Sequence, residues 1–198
     1  MVFIICLTPC HTDFRFKLKK NKAYVFCPNH TSYLDIPTIC FSLSGFYAFM
    51  GKDSLAKVPL FGYMFQKLYI PINRRSKVNA YKSYLKACKA IDNKRSLVIF
   101  PEGTIPDEGS PRMIKFKDGA FKIAIEKQVP IVPVTIPHNW EILPDLKKMH
   151  VNLLHRMRVI YHEPIETTGM TLENIKELKE KTYQVIHEEL KKYNKQLA

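Results

Sequence analysis

The chain contains no apolar run close to the roughly 20 residues that a helix needs to span a bilayer. Its apolar start, residues 2–7, is far shorter, and no Ala-x-Ala-like cleavage site follows, so no secretory leader is expected. Cys-x-x-Cys is also missing. The five cysteines, at 6, 10, 27, 40 and 88, are odd in number. They argue against a disulfide framework or zinc site and for a reducing, cytosolic exposure. Repeats, low-complexity tracts and linker-like stretches are absent, so the 198 residues read as one domain with room for a substantial core. An apolar fraction of 46% and an aromatic fraction of 12% exclude a disordered chain.

What is present is positive charge. The net charge is +13, and residues 52–95 alone carry +9, whereas residues 171–198 are close to neutral. Such a region suits nucleic acid or an anionic membrane, and charge does not choose between them. The apolar start runs directly into a basic segment from Arg15 to Lys22. This beginning reads either as part of an amphipathic or membrane element or as a first buried strand.

Hydrophobic patterning predicts strands at 23–27, 47–50, 68–72, 97–100, 131–135 and 157–161. Helices are predicted over 36–43, 54–66, 77–91, 117–127 and 172–193. In the clearest helix, Val78, Tyr81, Tyr84, Leu85, Cys88 and Ile91 form an apolar stripe beside Lys82, Lys86 and Lys89. Alternating strands and helices imply an α/β fold, a single domain with a largely parallel central sheet flanked by helices. Residues 1–22 would be a short apolar and basic segment preceding the domain at 23–198.

Three polar clusters follow predicted strands. His30 lies five residues before Asp35, just after the first strand. A histidine titrates near neutral pH, and a carboxylate can fix its tautomer and stabilise its imidazolium. In one continuous helix the two side chains would diverge, so they meet only if His30 sits in the loop and Asp35 in the first helical turn. Asp35 as a simple helix cap is the alternative, and the pair alone leaves both open. Ser32 is too close in sequence for an easy triad, so the hydroxyl to be activated could belong to a substrate.

Arg74, in Ile72-Asn73-Arg74-Arg75, offers planar donors suited to phosphate, or is solvated surface. Phe100-Pro101-Glu102-Gly103-Thr104 combines an acceptor, a permissive glycine and a hydroxyl in a strand-ending turn. In open α/β sheets, ligands bind outside the carboxyl ends of the strands. A shared pocket follows if all three clusters occupy that edge.

Together these residues resemble the glycerolipid acyltransferases, especially the lysophosphatidate (1-acylglycerol-3-phosphate) acyltransferases. Asn29, His30, Ser32 and Asp35 match the family's Asn-His-x-Ser-x-x-Asp motif, and residues 100–104 match Phe-Pro-Glu-Gly-Thr in full. Val129-Pro130-Ile131-Val132-Pro133 matches a fourth motif. The second motif is only partial: Ile72 and Arg74 agree, while Leu68 and Pro71 stand where Gly and Phe are usual. Ile105 replaces a frequent Arg or Ser. The resemblance covers residues from about 23 to 165. The longer apolar membrane-associating segment common in the family is short or absent.

The resemblance implies direct acyl transfer from a thioester to the sn-2 hydroxyl of lysophosphatidic acid, giving phosphatidic acid. His30 would be the base, Asp35 its partner, and Arg74 the phosphate ligand. Glu102, Gly103 and Thr104 would shape the glycerol-phosphate site. No metal and no bound cofactor are implied, and acyl-CoA or acyl-acyl carrier protein would be the donor. Partners would be the lysophospholipid and an anionic membrane surface, reached peripherally from the cytoplasmic side, with nucleic acid not expected. Apolar residues in 36–50 or 58–65 would be candidates for contact with the interface. Glycerol-3-phosphate or a lyso-aminolipid as acceptor, or a non-catalytic lipid- or nucleic-acid-binding module, are the competing readings.

Overall fold

The computed structural model describes residues 10–52, 69–72, 76–106, 111–143, 156–194 and 197. Its strands are β1 (Cys10–Phe14), β2 (Val25–Pro28), β3 (Tyr47–Lys52), β4 (Tyr69–Ile72), β5 (Ser96–Ile99), β6 (Ile131–Thr135) and β7 (Met157–Tyr161). They form one sheet in the order β1-β7-β6-β2-β5-β3-β4. Every neighbouring pair is parallel except β6 and β7. The largely parallel α/β sheet expected from the sequence is therefore present, with the parallel pair β1–β7 running opposite to the other five strands.

The described helices are α1 (Asp35–Ser42), α2 (Lys77–Asp92), α3 (Gly119–Glu126), α4 (Asn139–Ile142) and α5 (Ile175–Tyr193). The helix predicted over 54–66 lies outside the described residues, as do residues 2–7. Cys10–Phe14, assigned by sequence to a segment ahead of the domain, is an edge strand of the sheet itself.

β2, β5 and β6 are buried along their whole length, which explains their continuous apolar runs. Helices cover the two faces separately. Ile36 and Ile39 of α1 pack with Tyr24, Phe26 and Val132. On the other face, Ala87 and Ile91 of α2, Phe121 of α3 and Leu178 and Ile186 of α5 pack with Val25, Leu97 and Ile131. The division follows from the right-handed crossover rule: travel from β2 to β3 runs toward β4, and travel from β4 through β5 to β6 runs back. Connections made in opposite directions fall on opposite faces.

β2 and β5 are thus adjacent parallel strands whose following helices leave to opposite sides of the sheet. Such a divergence opens a crevice at the carboxyl ends of the two strands. His30 follows β2 there, and Glu102 follows β5.

Away from this edge, a partly buried network ties the segment after β1 to α5. Arg15 donates to both carboxylate oxygens of Glu189 on α5 (2.8 and 2.7 Å) and to Nδ1 of His162 (3.2 Å). His162 therefore carries its proton on Nε2 and donates it to Thr135 (2.8 Å). Burial, with Arg15 nearby, lowers the His162 pKa to about 4. No helix among the described residues is long and apolar enough to cross a membrane.

Candidate active site

Pro28 ends β2, and Asn29 fixes the loop that follows. Its side chain donates to the carbonyl of Ile136 (3.0 Å) and accepts from the Ile136 amide (2.7 Å), pinning the loop to the segment after β6. The loop then turns into α1, and the local fold meets the condition set by the five-residue spacing. His30 lies in the loop, Asp35 is the first residue of α1, and Nδ1 of His30 is 2.9 Å from Oδ2 of Asp35.

Asp35 is fully buried, yet its carboxylate is surrounded by donors. Oδ2 accepts from the amides of Thr31 (2.7 Å) and Ser32 (2.9 Å), and Oδ1 accepts from Nδ2 of Asn139 (3.0 Å). Two backbone amides and a side-chain amide thus compensate a charge that burial alone would oppose. An ionised Asp35 accepts the His30 proton at Nδ1, which leaves Nε2 with its lone pair. The imidazole side chain is 12% exposed and stacks on Phe100, with ring centroids 4.1 Å apart. Its plane is therefore held on one side by the first residue of the Phe-Pro-Glu-Gly-Thr run.

Ser32 is not placed as a nucleophile. Its hydroxyl donates to the Leu143 carbonyl (2.8 Å) and accepts from the Leu34 amide (3.2 Å), and the residue is buried.

After β5 the chain makes a turn closed by the Gly103 amide on the Phe100 carbonyl (3.1 Å). Pro101 occupies the second position and Gly103 the fourth, the places these residues favour in such turns. Gly103 has φ of 76°, a left-handed conformation that a side chain would oppose. Between them, Glu102 points inward and is fully buried. Its Oε1 accepts from the amide of His30 (2.8 Å) and its Oε2 from the amide of Ile114 (2.9 Å). Burial pushes the Glu102 pKa up to about 8, against the pull of these two amides and with a further rise from Asp35. Both oxygens are occupied by backbone, so Glu102 braces the His30 loop against the 111–116 segment. Thr104, next in the chain, is exposed, and its hydroxyl lies 3.3 Å from the Ile105 carbonyl.

His30, Asp35 and Glu102 are therefore brought into one bonded cluster, with Gly103 shaping the turn that carries Glu102. Arg74 lies outside the described residues.

The family model described as Acyltransferase matches residues 12–137. The chain belongs to the acyltransferase family. Among relatives, an uncharacterized acyltransferase of Schizosaccharomyces pombe is 32% identical over 178 residues, 86% of this chain and 63% of that one. A chloroplastic 1-acyl-sn-glycerol-3-phosphate acyltransferase of Brassica napus is 35% identical over 71% of this chain and 40% of its own. The chain thus spans less than two thirds of the length of either relative. The crystal structure of the 1-acyl-sn-glycerophosphate acyltransferase of Thermotoga maritima superposes with a TM-score of 0.74 at 21% identity, covering 96% of this chain and 75% of that one. That likeness establishes a shared fold.

Sequence reasoning missed Asn139 and Ile114. Asn139 follows β6 on the same sheet edge, so the carboxyl-end rule applied to a fourth strand would have found it. It is fully buried, and its Nδ2 serves Thr38 (2.8 Å) as well as Asp35. Ile114 acts through its amide, which no side-chain pattern could announce.

Proposed function

We propose that this chain transfers a fatty acyl group from a thioester to the sn-2 hydroxyl of lysophosphatidic acid, forming phosphatidic acid. The observation that carries the reading is the His30–Asp35 contact at a crevice where the Ser32 hydroxyl is engaged by the Leu143 carbonyl and the Thr31 hydroxyl is buried. A base with no protein nucleophile suits a reaction in which the substrate supplies the hydroxyl.

Nε2 of His30 takes the acceptor's proton as the hydroxyl oxygen attacks the thioester carbonyl. The tetrahedral intermediate collapses with cleavage of the carbon–sulfur bond. The imidazolium, stabilised by Asp35, returns its proton to the departing thiolate. No acyl-enzyme forms. A positioned base contributes on the order of 10²–10⁴ in rate, and holding donor and acceptor together contributes more.

Glu102 positions this apparatus by holding the amides of His30 and Ile114. Arg74 would bind the acceptor phosphate, with Gly103 and the exposed Thr104 shaping the glycerol-phosphate site. Phosphate is bound and not transferred, so the scheme needs no metal or bound cofactor. The donor would be acyl-CoA or acyl-acyl carrier protein.

A peripheral encounter with an anionic membrane is supported by α2, and the cytoplasmic side is part of the same proposal. Val78 (64% exposed), Tyr81 (62%) and Leu85 (49%) face solvent beside exposed Lys82, Lys86 and Lys89. An exposed stripe that is both apolar and basic suits an anionic lipid surface.

The test is a panel of acceptors offered with one radiolabelled acyl thioester. Labelled phosphatidic acid, formed faster than product from glycerol-3-phosphate or lyso-aminolipids, is the expected result. Preference for another acceptor would replace the substrate assignment, and no transfer to any acceptor would refute the reading.

A further inference from the structure

A cavity lies at the opposite edge of the sheet, where Tyr24 precedes β2 and where Tyr47 and Ser96 begin β3 and β5. Its volume is about 640 Å³, within the range of about 300–1,000 Å³ usual for ligand sites. The floor is apolar, built from Tyr24, Phe26 and Leu43. Phe46, 63% exposed, forms a wall and is backed by the Arg95 guanidinium 5.1 Å from its ring centroid. The rim carries Lys19, Lys20, Lys22 and Lys94, and no acidic residue lines the cavity. Lys22 is shared with Glu166 at 3.0 Å, whereas Lys19, Lys20 and Lys94 make no ion pair among the described residues.

The backbone under the rim fixes where Lys94 sits. Lys94 follows α2 at φ of 61°, the left-handed position where helices usually place glycine. Its amide closes onto Ile91, and that of Arg95 onto Ala90, completing the helix stop. A non-glycine residue is strained in this conformation. Gln128 takes the same left-handed position after α3, so the turn is a helix stop used twice in this fold, and what Lys94 adds is its charge at the rim.

We propose that this cleft is a second binding site, for a monomeric amphipathic phosphate monoester. Its phosphate would sit among Lys19, Lys20 and Lys94, and its apolar tail on the Tyr24–Phe26–Leu43 floor. A phosphomonoester carries a charge of about −1.5 to −2 at neutral pH, which suits several unpaired ammonium groups around an acid-free mouth. The full length of the strands separates the cleft from His30. The assignment therefore stands apart from the chemistry proposed at the other edge.

Amide hydrogen exchange on the full chain tests this, with dodecyl phosphate below its micellar concentration as the probe. Protection is expected over 18–22, 43–47 and 93–96. A K20E/K94E variant, altered only at exposed positions, should bind at least tenfold more weakly and keep the wild-type rate of acyl transfer. Lys94→Gly should raise Tm by relaxing the backbone while also weakening binding. Inorganic phosphate and neutral dodecyl maltoside should each bind at least tenfold more weakly than dodecyl phosphate. The proposal is overturned if those segments gain no protection, if either control binds as tightly, or if K20E/K94E retains wild-type affinity.

Discussion

Glu102→Gln separates the two forces acting on the buried carboxyl. In the folded protein Glu102 titrates at about 8, against about 4.5 when unfolded. Between those values the folded state keeps a proton that the unfolded chain has released. Its contribution to stability is therefore complete below about pH 4.5 and is lost as pH rises to about 8. The loss between pH 5 and pH 8 amounts to about 3–4 kcal/mol. The substituted carboxamide would not titrate, but its NH2 group would confront either the His30 or the Ile114 amide, at a cost of about 1–3 kcal/mol. Wild type should thus be the more stable protein at pH 5, and its advantage should vanish or reverse by pH 8. Urea unfolding of both proteins across this range measures the difference. His162 loses stability as pH falls from about 6.5 toward its lowered value of about 4, but it is present in both and cancels. A wild-type advantage that stays constant from pH 5 to 8 would refute the protonated, buried Glu102.

Asp35→Asn should fold, because a half-turn of the Asn139 amide, at the loss of its bond to Thr38, presents its otherwise unpartnered Oδ1 to the new NH2 group. Acyl transfer should nevertheless fall by about 10²–10⁴, since the charge that stabilises the imidazolium is gone. A rate within twofold of wild type would remove Asp35 from the proposed mechanism. Arg15→Ala removes the paired bonds to Glu189 and leaves that buried carboxylate with Lys192 at 2.8 Å. Stability should drop by about 1.5–3 kcal/mol in urea titrations. An unchanged midpoint would mean that β1 is not held through this contact.

The sheet was readily legible in the sequence because its strands are short, apolar and stopped by proline or polar turns. β6 and β7 match their expected limits of 131–135 and 157–161, and the other anticipated strands differ by a residue or two. β1 was not legible: Cys-His-Thr-Asp-Phe has no alternating pattern, and it becomes a strand through pairing with β7. The reversed direction of β1 and β7 likewise depends on packing. In α2 the apolar periodicity was real but misleading. Ala87, Cys88 and Ile91 enter the core, whereas Val78, Tyr81 and Leu85 remain exposed. Periodicity identifies a stripe and not what covers it. Of the interfacial candidates in 36–50, Phe41 and Phe46 are exposed while Ile36, Ile39, Leu43 and Phe49 are buried, and 58–65 falls outside the described residues.

At the site, the five-residue spacing stated the condition for a His30–Asp35 contact, and the loop-to-helix junction meets it. Glu102 was visible as an acceptor, but its engagement by two backbone amides depends on chain segments far apart in sequence.

In the proposed reaction His30 activates the acceptor's hydroxyl. Single-turnover transfer from a labelled acyl thioester to lysophosphatidic acid, compared between wild type and His30→Ala, measures that activation. With the fold checked by circular dichroism and urea midpoint, the variant should lose at least about 10² in rate. Wild-type turnover in a folded His30→Ala protein would contradict it.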